Sequence, residues 1–357
     1  MKRRSFIKSA VCLGCLGMAA GCSDFLNFQD RNSEFFLTAD QLPRSIRLEA
    51  CSLCQLRCPA CVTLLYQKKA PKDWVGYLKF DDFKKFVDEN DFIKEIELSN
   101  KGEIFLNPEL DEIIKYAHHK GITLTAGNGV NFNSVSDTTL ENLVKYQVKH
   151  MTIAIDGATP ETYKIYRVGG DFNKVIDNIK KINYFKKKYN SEFPKLTWQF
   201  IPFGHNEHEI LLAKKKAQEL NMEILYKRNM RKKYSPVKNR KLVEELTGII
   251  TFDKFDNSLK DDLKEKTFAC YNLFNYPQID YNGLLLGCNR AYIGNFGINV
   301  FEVGLLNALN YSKCIYAKRM LTDFSTPPKN GIPCTKCHSY TVLKSTGKPL
   351  NKAFFNT

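Results

Sequence analysis

The chain has 357 residues, 43% hydrophobic and 25% charged, the balance of an ordinary globular protein long enough to bury a large core and to hold two domains. Its twelve cysteines fall into three groups with none between Cys61 and Cys270, which argues against a disulfide framework scattered through a core and for metal clusters. The formal charge of +15 comes mainly from lysines spread along the chain. The one dense basic run, Lys227, Arg228, Arg231, Lys232, Lys233, Lys238, Arg240 and Lys241, is expected to be a solvated loop rather than a contact for nucleic acid or acidic lipid.

Residues 1–22 read as an export signal. Lys2-Arg3-Arg4-Ser5-Phe6-Ile7-Lys8 resembles a twin-arginine motif, and Ser9–Ala20 is a weakly apolar stretch too short to span a bilayer. Ala19-Ala20-Gly21-Cys22 is similar to a bacterial lipobox, with Ala19 where a large aliphatic residue is usual. Cys22 is thus the expected lipidated N-terminus, and Cys12 and Cys15 would leave with the signal. The chain is expected at the cell envelope as a lipoprotein; the alternative is retention in the cytoplasm. Residues 23–43 follow as a linker.

Between residues 44 and 245, short apolar runs alternate with amphipathic stretches. The first expected strand is Ser45–Ala50, followed at once by the cysteine loop. Helix Phe80–Glu89 leads to strand Ile93–Ser99. Pro108 opens helix Pro108–Lys120, and Gly121 stands after its end, where a left-handed residue is wanted. Strand Thr123–Ala126, helix Thr138–Tyr146 with Asp137 as its cap, and strand Met151–Asp156 come next. Asp171 caps helix Phe172–Lys188; strand Leu196–Pro202, helix Glu207–Leu220 and strand Glu223–Tyr226 complete the series. Strands joined by helical crossovers predict a parallel sheet covered by helices, with chemistry at the carboxyl ends of the strands. Residues 246–264 are an expected linker, 265–345 a small α+β domain rich in cysteine, and 346–357 a tail.

Cys54, Cys58 and Cys61 form a C-x3-C-x2-C loop. It offers three thiolates to a centre that prefers four. Structural zinc sites are closed, whereas an iron–sulfur cubane held by three cysteines keeps one iron open to a small molecule. A zinc knot of Cys51/Cys54 with Cys58/Cys61 is the alternative, but its connecting chain is too short to wrap one ion. Cys51 is therefore treated as a spare. The spacing, with Arg47-Leu48-Glu49-Ala50 and Cys58-Pro59-Ala60-Cys61 around it, resembles the signature of the radical SAM enzymes. That resemblance implies a partial (β/α)6 TIM-like barrel, a [4Fe–4S] cluster on Cys54, Cys58 and Cys61 as the catalytic and metal-ligating residues, and S-adenosylmethionine at the open iron. Ala60 stands where the family has an aromatic against adenine, so adenine contacts are expected from elsewhere.

Other segments are similar to the family's cofactor-binding stretches. Ser99–Leu110 resembles its Gly-Gly-Glu-Pro segment, with Lys101 for the first glycine and Ile104 for the proline; Gly102 and Glu103 remain. Thr125-Ala126-Gly127-Asn128-Gly129 resembles its Thr-Asn-Gly turn. Ile153–Phe172 resembles its segment after the fourth strand: Ala154 occupies a position that is often a serine touching the cofactor, and Arg167 matches the arginine expected to hold the methionine carboxylate. Asn206-Glu207-His208-Glu209 resembles its Asn-x-x-Glu segment. The implied cofactor-binding residues are Gly102, Glu103, Ala154, Arg167 and Asn206. His205 and His208 read as polar loop residues.

Near the C-terminus, Cys270, Cys288 and the Cys334-Thr335-Lys336-Cys337 pair make a four-thiol set that zinc also suits. Tyr276–Cys288 reads as a β-hairpin turning at Asp280–Gly283 and returning Cys288 toward Cys270. The pattern resembles the SPASM/Twitch domains of radical SAM enzymes, in the shorter Twitch form, which implies an auxiliary [4Fe–4S] cluster on Cys270, Cys288, Cys334 and Cys337. Cys314 is left as a buried apolar residue.

The implied activity is reductive cleavage of S-adenosylmethionine to a 5′-deoxyadenosyl radical that abstracts hydrogen from a peptide, a protein or a small alcohol or sugar, with the auxiliary cluster assisting oxidation or substrate binding. A low-potential donor of the flavodoxin or ferredoxin type would supply the electron. S-adenosylmethionine and such reductants are cytoplasmic, which stands against the export signal. Two alternatives remain: a tRNA- or other nucleic-acid-modifying enzyme, resting on the basic charge, and a non-catalytic exported electron-transfer lipoprotein, resting on the altered Ala60, Lys101 and Ala154. Metabolic labelling with a fatty acid followed by cell fractionation tests the N-terminus: the label should appear in the envelope fraction and vanish in Cys22→Ala.

Overall fold

The computed structural model describes residues 33–64, 75–231, 233–249, 270–288 and 294–352. Cys12, Cys15, Cys22, Lys232 and the expected signal and most of the expected second linker lie outside the described residues. Among the described residues no helix is long and apolar enough to cross a membrane.

The expected strands all form, with adjusted ends: β1 (Ser45–Leu48), β2 (Glu95–Glu97), β3 (Thr123–Val130), β4 (His150–Ala154), β5 (Lys195–Phe200) and β6 (Glu223–Tyr226). They pair in parallel in the order β6-β5-β4-β3-β2-β1, and the sheet continues through β7 (Gln278–Ile279) to β8 (Leu285–Gly287). The C-terminal hairpin is therefore joined to the barrel by hydrogen bonds: β7 lies parallel to β1, with Arg47 opposite Gln278. Gly283, at φ +87°, turns the hairpin where a side chain would run into Asn299.

The sheet has two unlike faces. Register partners on parallel strands share a face, and Arg47↔Glu97, Glu97↔Thr125, Ala154↔Gln199 and Arg47↔Gln278 line up across it. The alternate positions, among them Ile46, Leu48, Ile96, Leu124, Met151, Ile153, Leu196 and Trp198, are apolar and buried in the main core. Helices cover that face, as crossovers in parallel sheets require: α1 (Phe80–Glu89) through Phe83, Phe86 and Val87, α2 (Leu110–His119) through Ile113 and Ile114, α3 (Asp137–Lys145) through Leu140, Leu143 and Val144. The polar face curves inward. Lys227, just beyond β6, donates to the carbonyl of Asn128 in β3 although two strands separate β6 from β3, so the parallel run curls into an open barrel.

Several caps differ from expectation. Ser136, not Asp137, caps α3 by accepting from the Thr139 amide. Helix α2 starts at Leu110, because Pro108 and Glu109 remain in the preceding turn, where Glu109 accepts the Phe80 amide of α1 at 2.6 Å. A further helix, α4 (Pro160–Tyr166), is capped by Thr159 with Pro160 in its first turn. Asp171 does cap α5 (Phe172–Tyr189), accepting from Asn173 and Lys174. The crossover after β5 is split into a 3-10 turn, Glu207–Glu209, and α6 (Ile210–Glu219). Helix α7 (Arg240–Thr247) ends at Gly248 in the left-handed region.

The C-terminal part is helical: α8 (Val300–Val303), α9 (Leu305–Leu309), α10 (Ser312–Thr322) and α11 (His338–Ser345). Residues 33–43, expected as linker, are tied to it. Leu37 exchanges two hydrogen bonds with the Asn310 side chain at 2.7 and 2.8 Å, and Phe35 meets Phe274 edge-on. The expected tail is likewise held by Leu350, whose amide donates to Leu321.

A buried ion pair joins the barrel to the hairpin: Lys101 Nζ lies 2.9 Å from Asp280, both nearly inaccessible. Removing one partner of such a pair strands the other charge and costs about 3–5 kcal/mol. Asp280→Ala should lower unfolding free energy by that order in urea titrations, and Asp280→Asn by less.

Candidate radical site

The cysteine loop leaves β1 at its carboxyl end. Cys54, Cys58 and Cys61 line one cavity, shared with Gly102, Glu103, Gly129, Asn131 and Arg167. Cys51 does not line it; its buried thiol turns toward the Leu53 carbonyl. The three-thiol set is thus separated from the spare cysteine by the backbone path.

Several contacts fix the loop. The Ser52 amide donates to Gly76, Arg57 to Val168, and Glu103 to Leu53 at 2.7 Å. Gly102 has no alternative: a Cβ there would overlap the carbonyl oxygens of Cys51 and Leu53. The Glu49 carboxylate accepts from the Lys101 and Gly102 amides, which holds the turn after β2 against the cysteine loop. Lys101, in place of the expected glycine, gives this turn its bridge to Asp280.

Burial raises the pKa of two of the thiols. It pushes Cys54 up to about 12 and raises Cys58 despite the opposing charge of Arg167. Such thiols become thiolates when a metal takes the proton's place. Two donors aim at sulfur: Asn131 Nδ2 at 3.8 Å from Cys54 and Arg167 Nη1 at 3.7 Å from Cys58.

The cofactor-binding residues suggested by the sequence separate into two groups. Gly102, Glu103 and Arg167 line the cavity. Arg167 stands at the C-cap of α4, ion-paired with buried Asp156, while its Nε is buried without a partner. Ala154 lies next to the cavity wall, near the position a Cβ of Gly129 would take. Asn206 does not reach the cavity with its side chain. Its Nδ2 donates to the carbonyls of Asp156 and Ile201 and its Oδ1 accepts the Phe203 amide, so direct contact gives way to bracing of the loops after β4 and β5.

Other contributors had no local signature. Glu49 supports the turn; Gln55 and Asn131 bond each other at 3.0 Å beside Cys54. The basic run keeps Arg231, Lys233, Lys238, Arg240 and Lys241 exposed to solvent, as expected, while it also touches the loop: Arg231 Nε donates to Ala60, Tyr234 donates to Ile165, and Ser235 bonds His205. Tyr234 packs with Tyr166 and Phe203 in a small apolar cluster with Leu56 and Cys58, against which Ala60 also rests.

Cys270, Cys288, Cys334 and Cys337 line a second cavity, otherwise walled mostly by apolar groups such as Leu286 and Phe296. Burial and the neighbouring thiols hold Cys334 well above the ordinary thiol range. Cys314, on α10, is fully buried and is not among the lining residues. Among the described residues, no three His, Cys, Asp or Glu side chains converge closely enough to hold a single ion.

Two outcomes follow. Gly102→Ala should displace the cysteine loop, costing at least about 1–3 kcal/mol and most of the iron retained at the three-thiol site, read by iron analysis. Burial raises Glu49 to about 8 and Glu103 to about 7, from a usual 4.5. A raised carboxyl pKa makes the folded state the better proton binder, so its stabilising contribution is full below about 4.5 and is lost as pH rises through 7 and 8. Unfolding free energy should fall over that window, and Glu49→Gln should flatten the upper part of the fall.

The radical SAM superfamily profile matches residues 49–210. Among solved structures, Streptococcus suis SuiB bound to precursor peptide SuiA is similar with a TM-score of 0.56 and 13% identity, over 85% of this chain and 71% of that one. BtrN in complex with AdoMet and 2-DOIA has a TM-score of 0.43 and 13% identity over 78% and 87%, and methylornithine synthase (PylB) 0.39 and 12% over 54% of each chain. Curated protein sequences gave no match. The profile spans the three-thiol loop, the Gly102–Glu103 turn, Arg167 and Asn206, all of which follow strands of a parallel open barrel, and it is residues 49–210 of this chain that match the radical SAM superfamily.

Proposed function

We propose that this chain cleaves S-adenosylmethionine reductively and abstracts hydrogen from a peptide or protein substrate, and that it holds a second iron–sulfur group in its C-terminal cavity. The observation that carries the first part is the meeting of three thiols, and only three, with Gly102 and Arg167 in one cavity. When bound, a [4Fe–4S] cluster and S-adenosylmethionine supply a 5′-deoxyadenosyl radical that takes a hydrogen atom from substrate.

The chain's own residues do the rest. Cys54, Cys58 and Cys61 would hold the cluster, and burial of Cys54 and Cys58 favours metal-bound thiolate over free thiolate there. Gly102 and Gly129 let backbone approach the cavity without side-chain obstruction. Arg167 has an uncommitted Nε for a carboxylate, with Asp156 fixing the guanidinium. Tyr166, Phe203 and Tyr234 wall the loop with apolar surface where Ala60 offers little, which suits an adenine ring and limits water at the thiols.

One feature supports the second group: the four thiols line one largely apolar cavity, a donor set that suits a [4Fe–4S] cluster. A peptide substrate is supported by the likeness to SuiB, which was solved with its precursor peptide. A flavodoxin- or ferredoxin-type donor and envelope anchoring through Cys22 belong to the same proposal.

Anaerobically reconstituted protein should produce 5′-deoxyadenosine with dithionite, and Cys54→Ala should reduce it to background. Cys334→Ala/Cys337→Ala should lose about four irons while keeping the first cluster; loss of zinc instead would overturn the second group.

A further inference from the structure

The polar face of the barrel carries two cations with no anionic partner. Arg47, in β1, uses its Nε on the Asn100 side chain at 2.9 Å, and its guanidinium lies over the Tyr276 ring. Lys227 extends from β6 and donates to the Asn128 carbonyl at 3.1 Å. Neither forms an ion pair among the described residues. The register explains why both look inward: Leu225 lies opposite Gln199, and Lys227 is two residues on, in phase with it.

The carboxylates beside them, Glu97 and Asp156, are already occupied. Glu97 accepts from the Ser99 amide and hydroxyl, the Thr125 hydroxyl and the Gly127 amide. Asp156 is taken by Arg167. Two further polar atoms on this face are buried without partners, Asn100 Nδ2 and Gln199 Oε1. Buried polar atoms left so are costly unless something else satisfies them. Gln199 Oε1 sits 3.0 Å from where a Cβ of Gly129 would be, and Gly129 lines the three-thiol cavity. This polar lumen is thus next to the reacting position.

We propose that the lumen between Arg47, Asn100, Gln199 and Lys227 is a carboxylate-binding subsite that seats an acidic group of the substrate beside the three-thiol cavity. Arg47 and Lys227 supply charge, Asn100 Nδ2 a neutral donor, and Gln199 Oε1 an acceptor for an adjacent N–H or O–H. A pair of cations desolvated on a protein face favours an anion strongly over its neutral isostere. The net charge of +15 would draw such a substrate toward the chain. The inference rests on the radical reading of the neighbouring site and names the chemistry of what that site acts upon.

The test is calorimetric and independent of turnover. Reconstituted protein with S-adenosylmethionine is titrated with two heptapeptides differing only in a central Glu or Gln, and with N-acetylglutamate and N-acetylglutamine. The Glu peptide should bind at least about tenfold more tightly than the Gln peptide, a difference of about 1.4 kcal/mol. Lys227→Met and Arg47→Met should each abolish that preference, and Lys227→Glu should transfer it to a peptide with central Lys. A preference confined to N-acetylglutamate assigns the subsite to a free carboxylic acid; one confined to the peptide assigns it to an acidic side chain. Equal or undetectable binding of both members of each pair overturns the subsite, as does a preference that survives Lys227→Glu. S-adenosylmethionine binding by the same samples is read separately: if it is present while acid preference is absent, only the subsite falls, and if it is absent, the radical reading falls.

Discussion

The close approach of two turns governs the site. The Lys101-Gly102-Glu103 turn lies against the backbone of Cys51–Leu53 so tightly that only a glycine fits between them. Glu103 donates its amide to Leu53, and Glu49 receives the Lys101 and Gly102 amides. These bonds are internal and shielded, so they fix the spacing of the thiols before any ligand arrives. The cost is two buried carboxyl groups, Glu49 and Glu103, whose charged forms are disfavoured where they sit.

Around that contact the sheet separates two tasks. Its apolar face is consumed by helix packing and supplies most of the core. Its inward face is polar because helices never cover it, and polar side chains from several strands meet there. The same strand, β1, borders β2 on one side and β7 on the other. The three-thiol loop and the hairpin leading to Cys288 thus hang from adjacent positions in one hydrogen-bonded layer, braced a second time by Lys101 and Asp280.

The sequence was legible where periodicity is local. The six strands and most crossover helices follow from alternating apolar runs, and Asp171 and Gly121 mark their boundaries as expected. The three-thiol loop was legible because its spacing is itself the chemistry. Contacts between distant segments were not. Nothing near Lys227 announces that it reaches Asn128 across the barrel, and nothing near Tyr234 announces that it packs beside Cys58. The pairing of β7 with β1 depends on register between segments far apart in the chain. Asn206 illustrates a related point: a side chain beside a site can spend its hydrogen bonds on the loops that shape it.

The seam between β1 and β7 has a bearing on how the molecule is assembled. Its two halves are separated by nearly the whole barrel, and joining them requires closing the largest loop in the sheet. Contacts of such long range are slow to form and profit from a scaffold that already exists. The barrel strands, each near its neighbour in sequence, therefore have time to associate first, during synthesis of the remainder. The C-terminal thiols reach their places only when the hairpin docks, so the chain's last cysteines are also the last to be gathered.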